Sequence, residues 1–172
     1  MKIKSLLALL TAVLFFSCKD GKTEVAESEN FKITVDVIAN KEDDFCLLYT
    51  TDGTSNFQNN AVWQHVKGSA DQQSVVFNLP KDVKPTQLRF DVGFNKQQEE
   101  IVLKGIAFEY KGKKKESRGT EMRLFFRPDE SKCTFDGETG VIKALVTNGQ
   151  KQVPSLYPQE VYLGPELKKL TN

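Results

Sequence analysis

The chain is poor in the residues that most often carry chemistry. Its 172 residues include one histidine, three cysteines and one tryptophan. A zinc site draws on several His, Cys or carboxylate ligands in close array, and His65 has no second His or Cys near it. No Gly-x-Ser-x-Gly elbow, P-loop or dinucleotide fingerprint occurs anywhere in the chain. This removes the sequence signatures of α/β-hydrolases, P-loop NTPases and Rossmann enzymes. With 23 acids present, pairs of carboxylates always arise, so a glycosidase-like pair carries no signal. An excess of one charge is missing too. Lys and Arg number 24 against 23 Asp and Glu, without the basic surplus of a nucleic-acid binder. No apolar run reaches the roughly 20 residues that span a bilayer. These absences point to a protein that is not an enzyme, needs no cofactor and does not partner nucleic acid.

What is present begins at the N-terminus. Met1-Lys2-Ile3-Lys4 is basic, and Leu6 to Phe16 is apolar except for Thr11. A short apolar run behind a basic start has the form of a signal peptide. Ser17 places a small residue before Cys18, and the charged stretch Lys19-Asp20-Gly21-Lys22-Thr23-Glu24 follows. Leu14-Phe15-Phe16-Ser17-Cys18 resembles the lipobox of bacterial lipoproteins, in the looser x-x-Ser-Cys form familiar from Bacteroidota. The resemblance implies cleavage before Cys18, lipid on its sulfur and an outer-membrane location, facing either the periplasm or the cell surface. Two acyl chains suffice for stable anchoring. The domain reading is then a signal peptide over 1–17, a polar tether over 18–30 and one folded domain over 31–172. Lys2 and Lys4 leave with the signal, so 22 basic residues remain against 23 acids.

The folded part reads as strands. Phe31 to Val37 alternates apolar and polar without error, the period of a half-buried strand. Further strands are expected over Phe45–Tyr49, Ala61–Val66, Ser74–Leu79, Leu88–Val92, Ile101–Tyr110, Met122–Phe126 and Val141–Val146, with Val153–Pro158 extended. Gly105 predicts a bulge. Lys111-Gly112-Lys113-Lys114-Lys115 reads as a solvated hairpin loop, and Pro165 opens a short helical turn reaching Leu170. Many short strands between turn clusters predict an all-β antiparallel sandwich of the jelly-roll type. The series Leu47-Leu48-Tyr49, Trp63 to Gly68, Gln73 to Pro80 and Leu88 to Gly93 resembles the galactose-binding-like β-sandwich modules of bacterial envelope proteins. That resemblance implies the architecture, with sugar binding as one role among several the fold serves.

Five side chains are candidates for a ligand site. Trp63 and Tyr49 offer rings on which sugar C–H faces can stack, though aromatic rings also dominate sandwich cores. Arg89 and Asp91 share one face of a strand, as an ion pair or as a clamp for a polar ligand. Asn95 or Asp91 would supply hydrogen bonds. Asp43, Asp44 and Asp52 flank one strand and carry the oxygen ligands that a structural calcium ion takes. Cys46 and Cys133 have two readings: a disulfide, open to an exported protein, or two buried thiols packing as small hydrophobes. The expected role is binding, of a glycan or another envelope ligand. The alternative is a structural protein that docks a protein partner in the envelope.

Overall fold

The computed structural model describes residues 29–172. The signal peptide, Cys18 with its lipobox, and all but the last two residues of the tether lie outside the described residues. The strictest alternation produces the first strand, β1 (Lys32–Ala39), in which Ile33, Val35, Val37 and Ala39 are buried and the residues between them are not. The chain continues through β2 (Asp43–Thr50), β3 (Ala61–Val66), β4 (Ser69–Asn78), β5 (Gln87–Asp91), β6 (Glu100–Tyr110) and β7 (Lys113–Arg118). A helical turn α1 (Met122–Phe125) leads into β8 (Phe126–Pro128), β9 (Cys133–Phe135) and β10 (Val141–Ala144). A small hairpin, β11 (Val146–Thr147) and β12 (Gln150–Lys151), precedes β13 (Ser155–Pro158) and a closing helix α2 (Glu160–Thr171).

The strands form two antiparallel sheets packed on each other, an all-β sandwich as the alternation predicts. One sheet has the order β4-β1-β6-β10-β9, with β7 also on β6; the other runs β3-β2-β5-β13-β8. The chain crosses between sheets from β1 to β2, from β3 to β4 and from β5 to β6, and these bent ribbons lie side by side. Phenylalanine rings bind the sheets together. Phe90 of β5 meets Phe45 edge-on at 5.6 Å and Phe77, from the other sheet, at 5.8 Å.

Because the ribbons are neighbours, their three corners meet at one end. A Cβ on Gly68 would lie 2.9 Å from the backbone of Lys41 and Glu42, so the second corner presses on the first as only glycine allows. Asn95, in the third corner, donates its backbone N–H to Asp43 Oδ1 at 2.9 Å and its Nδ2 to the Glu42 carbonyl at 2.7 Å. Gln98 accepts the Lys41 N–H at 2.8 Å.

Gly105 marks the predicted bulge. Asp36 pairs with Gly105 while Val37 pairs with Leu103, leaving Lys104 as the extra residue on β6. Elsewhere tertiary context overrides the local reading. β4 starts at Ser69 because ladder pairing with β1 continues to Ala39. The turn after β6 is only Lys111-Gly112, both at positive φ, the backbone of a tight hairpin. Lys113 to Lys115 already belong to β7. Met122–Phe125 is helical rather than extended, burying Met122 and Phe125 three residues apart on one side. The last helix begins at Glu160, so Pro165 lies inside it. Pro165 cannot donate to the carbonyl of Val161, and the buried stripe Leu163, Leu167 and Leu170 holds the helix through that break. Among the described residues no helix is long and apolar enough to cross a membrane.

Candidate ligand-binding face

Strand alternation sends Phe45, Leu47 and Tyr49 of β2 into the core, and Asp44, Cys46 and Leu48 to the opposite, outer face. Pairing register then lines up the outer residues of the second sheet. Trp63, Cys46, Asp91 and Ser155 form one row. Ala61, Leu48 and Arg89 form the next. Tyr157, two residues beyond Ser155, extends that second row toward its partner Arg127.

At the centre Arg89 grips Asp91 with both arms of its guanidinium, Nε to Oδ1 at 2.9 Å and Nη2 to Oδ2 at 2.5 Å. Nη1 reaches the Tyr157 hydroxyl at 3.2 Å. The guanidinium carbon lies 5.1 Å from the centre of the Tyr157 ring and 5.8 Å from that of Phe57, within cation–π range. Burial works against the Arg89 charge, but the Asp91 carboxylate outweighs it and holds the Arg89 pKa above its usual value. Phe57 and Tyr157 meet edge-on at 6.1 Å, and Arg127 stacks on Tyr157 at 5.6 Å. Beyond them a depression of about 580 Å³ is lined by Arg127, Pro128, Asp129, Glu130, Ser131 and Tyr157.

Toward the corners, Trp63 is 54% exposed and its ring lies 5.0 Å from that of Phe94. Beneath the row Cys46 is 3% exposed. Burial, and then the neighbouring Asp91 charge, push its thiol up to about 11. Cys46 and Cys133 are free, buried thiols on different sheets. Cys133 holds the Ser155 carbonyl through its sulfur at 3.6 Å. The disulfide reading therefore gives way to two packed thiols.

Three of the five candidates, Trp63, Arg89 and Asp91, share this face. Two do not. Tyr49 is 7% exposed on the core side of β2, because it follows the parity of Phe45 and Leu47. Asn95 is committed to the corner. The calcium candidates separate as well: Asp43 serves the corner, Asp44 faces His65 at 3.0 Å, and Asp52, past the far end of β2, caps Thr54 at 3.0 Å. Among the described residues no three His, Cys, Asp or Glu side chains are grouped to hold a metal ion. The lysine run is absorbed locally. Lys111 and Lys115 lie over Tyr110 and Phe125, Lys113 bonds the Asn172 carbonyl, and Lys114 pairs with Glu116.

Sequence reasoning missed Phe57, Phe94, Tyr157 and Arg127. The parity of Ser155 and Tyr157 is a usable signal for one of them; the two phenylalanines lie in loops, where no period exists. Fold and face together define a class, a β-sandwich with an aromatic and ion-paired outer sheet face. Beyond that class, no family model, curated protein or solved structure matches the chain.

Proposed function

We propose that this protein is a lipid-anchored lipoprotein of the bacterial outer membrane whose sandwich binds glycan on the outer face of the second sheet, without catalysing a reaction. In this reading residues 1–17 are removed, Cys18 carries the lipid and residues up to 30 tether the domain. The observation that supports glycan binding is the exposed Trp63, packed on the half-buried Phe94, on the same face as Tyr157 and the Arg89–Asp91 pair. Sugar rings bring C–H faces that pack on indole and phenol, and hydroxyls that need donors and acceptors held in place. A fixed, bidentate ion pair supplies both. On a glycan array the protein retains a subset of glycans and Trp63→Ala loses them. Silence across the array from folded protein would remove the reading. For the anchor, a palmitate analogue labels the wild type and not Cys18→Ala; an unlabelled wild type refutes it.

The second reading, docking of an envelope protein, draws on the exposed apolar residues Leu124, Val161 and Tyr162 of the two helices. The two helices pack on each other, and apolar residues exposed together on such a surface mark contact sites. Crosslinking in native membranes from Tyr162, with a partner recovered and lost on Tyr162→Ser, would favour it over the first.

A further inference from the structure

The glycan face has a length and a charge state, and from these we infer that its occupant is a neutral, linear oligosaccharide lying obliquely across the strands and held at two aromatic stations. The inference rests on the glycan reading above. The first station is Trp63 on the edge strand β3 with Phe94 from the corner after β5. The second is Phe57 with Tyr157 of β13, flanked by the guanidinium groups of Arg89 and Arg127. Strands β2 and β5 lie between. Three strand spacings separate β3 from β13, about 14 Å, or roughly three linked sugar rings. The register adds a shift of one row, because Trp63 stands with Asp91 while Tyr157 follows Arg89. A ligand touching both stations therefore runs at a slant, over the half-buried Leu48 and Arg89 that lie between them. A single terminal sugar reaches one station only.

Neutrality follows from how the charges are spent. Both Asp91 oxygens are taken up by Arg89. At the rim Lys132 pairs with Asp129, so Arg127 shares its depression with the one remaining carboxylate, Glu130. Between the two stations, then, the charges cancel in the Arg89–Asp91 pair. After the bidentate contact and the bond to Tyr157, Arg89 retains two N–H donors and each Asp91 oxygen retains a lone pair. A hydroxyl, which donates and accepts, satisfies both. A carboxylate on the ligand would meet Asp91, and an ammonium would meet Arg89.

The test titrates full-length protein in detergent with xylo-, manno-, gluco- and chito-oligosaccharides of one to six units, with oligogalacturonates as the charged series. In the series that binds, affinity rises by about tenfold or more between one unit and four and then levels, once both aromatic stations are covered. Trp63→Ala and Phe57→Ala, one at each station, each abolish the gain with length while single-sugar affinity changes little for at least one of them. Equal affinity for one unit and six, or preference for oligogalacturonate, would overturn the inference and leave glycan binding standing. Failure of every series with folded protein would overturn both.

Discussion

Arg89 and Asp91 illustrate what one side chain contributes here. Removing Arg89 leaves a carboxylate with little access to water and no cation. Arg89→Met should therefore cost about 2 kcal/mol in urea unfolding, below the usual cost of breaking a fully buried pair because both groups keep some contact with solvent. The double variant Arg89→Met with Asp91→Leu should recover most of that loss, which a double-mutant cycle would read directly. Cys46 offers a second measurement. Its thiol ionises near 9.0 when unfolded and about 11 when folded, so the unfolded chain gives up its proton first. Stability is thus unaffected by this group below pH 9 and falls as pH rises from 9 to 11. Cys46→Ala should flatten that slope, and iodoacetamide at pH 8 should label the wild-type thiol only on unfolding. At this scale the sequence was legible wherever parity could be counted. Phe45, Leu47 and Tyr49 share one parity and go inward together, while Trp63 and His65 share the other parity from Val62 and Val66 and go outward. Phe57 and Phe94 sit outside strands, and only tertiary structure carries them to the face.

Among the elements, the joined corners are unforgiving. Asp43 is 3% exposed, and burial raises its pKa despite the N–H groups of Asn95 and Asp44 that favour the anion. Its Oδ2 has no hydrogen-bond partner among the described residues. A raised folded value means the cost of holding the anion builds as pH rises from the ordinary carboxyl value of 3.8 to the raised one and is fully present above it. Asp43→Asn keeps the Oδ1 acceptor and drops the charge, so stability at pH 7 should stay level or rise by no more than about 1 kcal/mol. Asp43→Ala strips two N–H groups of their acceptor and should cost about 2 kcal/mol in the same melt. Gly140 is constrained more tightly still. It sits at φ +79, and a Cβ there would fall 2.0 Å from the Leu103 carbonyl oxygen. Gly140→Ala should lose at least about 2 kcal/mol or fail to fold, read by thermal melting. Strand positions were largely visible from period two. Helix α1 was not, because Met122, Leu124, Phe125 and Phe126 form an apolar run that fits either period.

Across the whole molecule, class was readable and connection was not. Alternating strands and turn clusters announce a sandwich, but nothing local says that β6 carries β10 along Glu100–Val102 and β7 along Gly105–Tyr110. Nor does it say that Phe77 and Phe90 will meet across the sheets. Phe90→Ala, at the centre of that contact, should cost about 3–5 kcal/mol, measurable by chemical denaturation. The β6–β7 hairpin carries a further consequence. Phe31, just before the first strand, stacks on Tyr110 at 5.8 Å, and Lys113 holds the carbonyl of Asn172. The first and last described stretches thus converge on one hairpin turn. A short linker joining them, with new ends opened in the exposed loop at Gln58–Asn60, should yield a circular permutant that keeps both sheets intact.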